Sequence, residues 1–231
     1  MTVIDTAIGS FNFGDLFQAE CNFAAHDITI FRNFIFPETA ANLQDYLFNR
    51  AEVLRKDFLM PSSHNTPRHM SVVSGLFLNT LSDIVKTYRN PHLLSILDQI
   101  AYNGDRLQEG HVACYEDPLE NMVATRLEKQ GDTHGFHYDD PALALIICLE
   151  APPTGMGGDV EYYMKGARGH RFLNQTHLNI GDAYFMRTDC TFHRVMPLKG
   201  NFPRSILNLT YDFEKRKVQK NGSAELLFQP A

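Results

Sequence analysis

The chain has 231 residues, 44% hydrophobic and 21% charged, which is an ordinary globular composition with enough apolar mass for one domain with its own core and excludes a disordered chain. A formal net charge of −6 argues against a nucleic-acid or anionic-membrane partner, since either favours a basic surface. No apolar run approaches the ~20 residues that span a bilayer, no leader pattern opens the chain, and Cys21, Cys114, Cys148 and Cys190 are widely spaced, so a cytoplasmic protein with free thiols is expected.

Residues 1–26 show no clear periodicity, and Ile28-Thr-Ile-Phe31 reads as a first strand. Pro37 stands as a helix N1 residue, and Ala41, Leu43, Leu47, Phe48 and Leu54 recur at roughly helical spacing, which predicts one long helix over 38–58 packed on a sheet. Pro61 to Pro67 reads as a loop, with His64, Arg68 and His69 as surface residues beside it. Helices are predicted over 81–88 and 91–102, the second opened by Pro91. After Gly110 the pattern changes to short runs between turn residues, and 112–115, 122–128, 143–150, 160–164, 177–180, 183–186 and 205–213 read as strands. Leu143 to Leu149 is apolar on both faces, so it belongs in a covered sheet, with the helices as cover. The fold expected is α+β. A double-stranded β-helix, a cupin-like jelly roll, spans 111–213, a mainly helical 1–110 buttresses it, and a tail over 214–231 follows, with charged Glu214 to Lys220 as a solvated face.

The stretch Gly131 to Pro141 holds His137 and Asp139 two positions apart, which on an extended strand turns both to one face. A second imidazole would complete a metal site, and His193 is the candidate. Two histidines and a carboxylate with open positions mark non-haem Fe(II) oxygenases. Arg204, one strand beyond His193, suits a dicarboxylate that chelates the metal at one end and meets a guanidinium at the other. His134 forms a His-x-x-His with His137, but Gly131, Gly135 and Pro141 oppose a helix there. On a regular strand His134 leaves the face of His137 and lines the pocket entrance, or is a hydrogen-bonded loop histidine. In the strand from Arg204, the residues Arg204, Ile206, Asn208 and Thr210 share one face. Asn208 and Thr210 are therefore candidates for substrate contact, with exposed strand positions as the alternative.

His137-x-Asp139, His193-Arg-Val-x-Pro and Arg204-x-Ile resemble the Fe(II)/2-oxoglutarate-dependent dioxygenases from about Val123 to Phe213. Gly157-Gly158-Asp159 and Gly181-Asp182 are similar to that superfamily as well. Within it, His134-Gly-x-His137-x-Asp139-Asp140, with Glu120 on the preceding segment, most resembles the free amino-acid hydroxylases related to the radical lysine halogenases. The resemblance implies Fe(II) on His137, Asp139 and His193, and O2 and 2-oxoglutarate as co-substrates, the latter with its far carboxylate on Arg204. It also implies Glu120 and Asp140 facing a side-chain ammonium, His134, Asn208 and Thr210 holding the amino-acid backbone, and Phe228 filling an aromatic pocket position. A halogenase of that group has a small residue where Asp139 stands, so hydroxylation is the outcome implied. The substrate expected is a free basic amino acid, lysine first and ornithine or arginine next. Alternatives are another oxidation at the same iron, a carrier-bound or peptide residue as substrate, a ligand sensor, and a zinc hydrolase, which leaves Arg204 unexplained. Arg68 and Arg126 read as surface or edge positions, with a substrate carboxylate as their alternative role.

Overall fold

The computed structural model of the chain describes residues 13–102, 109–165 and 170–228. It begins with α1 (Phe13–His26), whose Leu16, Ala19 and Phe23 recur at helical spacing on the side packed into the core. This corrects the irregular start expected for 13–26; residues 1–12 of that stretch lie outside the described residues. β1 (Ile28–Phe31) follows, then α2 (Pro37–Arg50) with Pro37 in its first turn, as the sequence predicts. α2 stops at Arg50 rather than continuing to 58, and Leu54–Met60 is a strand, β2. Leu54 and Phe58 are four apart, a spacing that suits one face of a helix and equally one face of a strand. Pairing with β3 (Thr66–Val73), from Leu54 opposite Val72 to Met60 opposite Thr66, selects the strand. The predicted loop thus shrinks to a 3-10 turn at Pro61–Ser63 followed by His64 and Asn65 in left-handed conformations. Three helices follow: α3 (Gly75–Leu78), α4 (Ser82–Tyr88) and α5 (Pro91–Ala101). The Asn90 side chain caps α5 by accepting from the His92 and Leu93 amides.

The remaining strands are β4 (Val112–Cys114), β5 (Met122–Leu127), β6 (Thr133–His137), β7 (Leu143–Glu150), β8 (Val160–Lys165), β9 (Arg171–Thr176), β10 (Ala183–Arg187), β11 (His193–Val195) and β12 (Arg204–Phe213), before a last helix, α6 (Ser223–Phe228). The predicted strand at 177–180 is absent. Its place beside β8 is taken by β9, and 177–180 runs into a turn in which the Asp182 amide donates to the Asn179 carbonyl at 3.0 Å. The pairings among the described residues are antiparallel, in the order β1-β10-β7-β12-β5-β3-β6-β11-β8-β9, with β2 beside β3 and β4 beside the end of β12. This strip curls into a jelly roll. β1, β10, β7, β12 and β5 make one wall, and β6, β11, β8 and β9 make the other. β3 bridges them, pairing Ser71–Val73 with β5 and Arg68 and His69 with β6.

The two faces of the first wall have different partners. Leu143, Leu145, Ile147 and Leu149 of β7 pack with Leu207, Leu209 and Tyr211 of β12 against the helices. Ala144, Ile146 and Cys148 point inward with Tyr162, Tyr184 and Ile206. Each fully buried Leu or Ile is worth about 1.5–3 kcal/mol relative to exposure, so a strand covered on both sides is a principal anchor of the fold. Most of the charged run 214–220 is exposed, as expected, while Arg216 pairs with Asp212 and Asp189 and Lys220 pairs with Asp117. No helix among the described residues is long and apolar enough to cross a membrane.

Candidate metal centre and substrate pocket

Between the two walls, His137 at the end of β6 and His193 at the start of β11 stand opposite each other in register, with ring centroids 4.3 Å apart. Asp139 lies two residues past His137, beyond the strand. Its amide donates to the Thr188 carbonyl at 3.1 Å, which turns its side chain back toward both imidazoles. Asp139 Oδ1 is 3.2 Å from His137 Nε2, and Oδ2 is 3.7 Å from His193 Nε2. His137 Nδ1 donates to the Gly135 carbonyl and His193 Nδ1 to the Thr191 carbonyl, each at 2.8 Å. A carbonyl only accepts, so these bonds place the proton on Nδ1 and leave both Nε2 lone pairs facing the carboxylate.

One ligand atom from each of the three residues lies within 4.8 Å of the others. Burial first, then His137, pushes the His193 imidazole down to about 4, keeping it neutral. Burial raises the Asp139 carboxyl, but the neighbouring imidazoles outweigh it and hold the group below the usual carboxylate range. Two imidazoles with their Nε2 atoms turned to one carboxylate, with an open side toward the cavity, fit a first-row divalent metal of the Fe(II) type.

Arg204, at the start of β12, points into the same cavity and is 4% exposed. It forms no hydrogen bond or ion pair with a described residue, which leaves the fork of its guanidinium for an anionic ligand. Gly158 makes room for it: a Cβ there would stand 3.1 Å from Arg204 Cδ, at a φ of +74° that side chains avoid. Asn208 and Thr210 line the cavity from the same face of β12, as the strand parity predicts. The Thr210 hydroxyl donates toward the Glu120 and Asn121 carbonyls, so only its oxygen remains to accept from a ligand.

His134 departs from the regular strand pattern. Opposite β11, His193 faces His137 while Val195 faces His134, so two steps on β11 match three on β6. The extra residue is a β-bulge, which reverses the alternation and returns His134 to the face of His137. Their rings stack at 4.0 Å and 12°, correcting the expectation that His134 leaves that face.

Arg68 is also placed differently from its reading as a surface residue. It is 1% exposed, lies on β3 opposite His134, and lines the cavity. Its Nη1 donates to Thr66 Oγ1, the Pro67 carbonyl and the Gly135 carbonyl, and its Nη2 to Ser63 Oγ. Nε has no partner. Burial pulls this guanidinium down to about 10, against the opposing charge of Asp139. Arg126 stays at a half-buried strand position, paired with Glu150 at 3.0 Å and Glu128 at 3.5 Å.

Glu120 and Asp140 also line the cavity. Burial first, then the charges of Asp140 and Asp139, pushes the Glu120 carboxyl up to about 8. Burial and Asp139 likewise raise Asp140, against the Asn221 amide and Arg216. Buried atoms without a partner complete the outline: Glu120 Oε1 and Asn208 Oδ1 are acceptors, Arg68 Nε is a donor, and His134 Nε2 can be either. Ser223, Leu227 and Phe228 of α6 form the remaining wall.

A family model described as HalD, Halogenase D, matches residues 14–227. The comparison with curated proteins gives no match. Among solved structures, the chain is similar to the non-haem alpha-ketoglutarate-dependent epimerase SnoN from nogalamycin biosynthesis, at 14% identity and TM-score 0.68, covering 93% of this chain and 87% of that one. It is similar to EvdO2 from Micromonospora carbonacea var. aurantiaca, a complex with 2-oxoglutarate, at 16% identity and TM-score 0.59, covering 98% and 99%. A Pseudomonas putida prolyl-4-hydroxylase superposes at 15% identity and TM-score 0.59, covering 87% and 100%. At these identities the likeness is one of fold.

Proposed function

Because this chain belongs to the Halogenase D family, we propose that it is an Fe(II)- and 2-oxoglutarate-dependent oxygenase that hydroxylates an unactivated C–H bond of a free cationic amino acid, lysine first and ornithine or arginine next. The observation that carries the reaction class is the set of two Nδ1-protonated imidazoles and one ionised carboxylate, with the partnerless Arg204 in the same cavity. His137, Asp139 and His193 would hold the metal, and Arg204 would take the far carboxylate of 2-oxoglutarate. The bound iron would supply the oxidising chemistry, activating O2 as 2-oxoglutarate goes to succinate and CO2 and one oxygen atom enters the substrate. With Asp139 present, a carboxylate takes the metal position that a halide needs. Hydroxylation is therefore favoured over halogenation despite the family's name.

The partnerless polar atoms support the substrate class. A free basic amino acid presents a carboxylate and an ammonium on its α-carbon and a second cation at the end of its side chain, and the cavity lining offers partnerless donors and acceptors for these groups. Arg68 Nε and His134 Nε2 suit the α-carboxylate, while Asn208 Oδ1 and the Thr210 oxygen suit the α-ammonium. Glu120 and Asp140 suit the side-chain ammonium, because two raised carboxyls in one buried place are relieved by a cation between them. Phe228 and Leu227 would press on the aliphatic stem and exclude water. The four free cysteines suit a cytoplasmic setting.

The test is succinate formation by protein supplied with Fe(II), 2-oxoglutarate and ascorbate in air, across a panel of free amino acids, with product mass recorded. We expect lysine to stimulate turnover and gain one oxygen, and Asp139→Ala to lose metal-dependent succinate formation. Undiminished hydroxylation by that variant would refute the role of Asp139, and a gain of chlorine in place of oxygen would refute hydroxylation.

A further inference from the structure

The tail after β12 crosses back over the turn that follows β6. Arg216 donates to the Asp140 main-chain carbonyl through both Nη1 and Nη2, each at 3.0 Å. The same guanidinium bonds Asp212 Oδ2 at 2.6 Å and stands 3.3 Å from Asp189 Oδ2. Asp189 is itself held by Arg187 Nε at 2.6 Å. Farther along the tail, the Asn221 amide donates to Asp140 Oδ2 at 3.0 Å, and Lys220 bonds Asp117. α6 begins two residues later and supplies Ser223, Leu227 and Phe228 to the cavity wall. One short segment therefore grips both the carbonyl and the carboxylate of Asp140 and closes the pocket.

The gripped turn carries Asp139 and Asp140 in succession. Its other ties come from the opposite side: the Asp139 amide to the Thr188 carbonyl, and the Thr188 hydroxyl and amide to the Pro141 and Ala142 carbonyls. Those bonds hold the turn before and after Asp140. Asp140 itself is held by the tail.

We propose that Arg216 is a positioning residue, and that the strap over 214–228 fixes the Asp140 carboxylate for the substrate cation while its helix closes the pocket. This rests on the reading of Asp140 as a cation-binding group, but the placement of the turn by Arg216 is a separate statement. The strap and the cation share one carboxylate. The Asn221 amide engages Oδ2, so the carboxylate is oriented before the ligand arrives, and affinity is gained by preorganisation. The pairs of Arg216 with Asp212 and Asp189 and of Lys220 with Asp117 hold the strap in this place.

The experiment compares wild type with Arg216→Met, which keeps chain length without charge, and Arg216→Lys, which keeps the charge near Asp212 and Asp189 but lacks the two-pronged grip. Lysine binding is measured calorimetrically on anaerobic protein loaded with Fe(II) and 2-oxoglutarate, together with Fe(II) affinity and amide hydrogen exchange. Arg216→Met is expected to bind lysine roughly 10-fold to 100-fold more weakly, as for loss of a charge-assisted hydrogen bond, while Fe(II) affinity stays near wild type. The Asp139 and Asn221 amides are expected to exchange faster. Arg216→Lys is expected to recover thermal stability and only part of the lysine affinity, a split that a merely structural residue does not give. Wild-type exchange at Asp139 and Asn221 in Arg216→Met overturns the proposal, as does wild-type lysine affinity in that variant where the wild type binds lysine. If the wild type binds none of the three basic amino acids, the substrate reading fails, and the exchange data alone decide the role of Arg216.

Discussion

Glu120 has a buried carboxyl oxygen without a partner, and its pKa rises from 4.5 to about 8. The sign of the consequence follows from linkage. The folded, empty protein keeps a proton that the unfolded chain gives up at the ordinary value, so this contribution to stability is whole below about pH 4.5 and is lost as pH rises through about 8. Glu120→Gln is expected to flatten that decline in melting temperature on the alkaline side. A bound ammonium has the opposite requirement, since it needs the carboxylate, so lysine binding near neutral pH should release a proton. Calorimetry in buffers of different ionisation enthalpy reads this, and a binding heat independent of the buffer would remove Glu120 from the cation site. At this scale the sequence is informative where residue type and spacing coincide: His137, Asp139, His193 and Arg204, proposed from their spacing and the resemblance they carry, line one cavity. Arg68 is not, because its neighbours Pro67 and Thr66 read as loop, and its burial exists only once β6 lies alongside β3.

Among the elements, β6 shows how little separates two placements of one side chain. Its bulge brings His134 over His137, and the strand must then pass close to β3. A Cβ on Gly135 would stand 2.8 Å from both Pro67 Cδ and Thr66 Cβ. Gly135→Ala should force the strands apart, costing about 1–3 kcal/mol, and should weaken metal binding through the shifted Gly135 carbonyl that holds His137. Thermal melts and Fe(II) titration check both, and a fully stable variant with native metal affinity would show the contact to be slack. A bulge adds one residue without altering composition, so parity reasoning fails there. The other misreadings have similar causes. β2 carries its apolar residues at a spacing shared by helix and strand, and β9 is an edge strand whose exposed side chains give no alternation to read. β7 and β12 were legible because burial on two faces, or on one polar and one apolar face, leaves a distinct pattern.

For the whole molecule, the site joins both walls of the roll, with β6, β11 and β3 on one side and β12 on the other. Metal and co-substrate held there should stabilise the fold by mass action. About 2.7 kcal/mol is expected at 100 times the dissociation constant, a rise on the order of 5–10 °C in melting temperature for a chain of this size. His193→Ala should abolish the metal-dependent part of that rise, and an equal rise in the variant would place the metal elsewhere. The jelly roll itself was legible from the change of pattern after Gly110, whereas the bridging role of β3 depends on pairings between distant segments and leaves no local mark. Those pairings also bear on how the protein is made. β12 follows every other strand of the described residues in chain order, yet it lies between β7 and β5. Until it clears the ribosome, two apolar strands wait with open edges, and Arg204 has not yet joined the cavity. A nascent chain halted before residue 204 should therefore remain a client of chaperones and bind neither iron nor 2-oxoglutarate firmly, so the cofactors arrive only after β12 has been made.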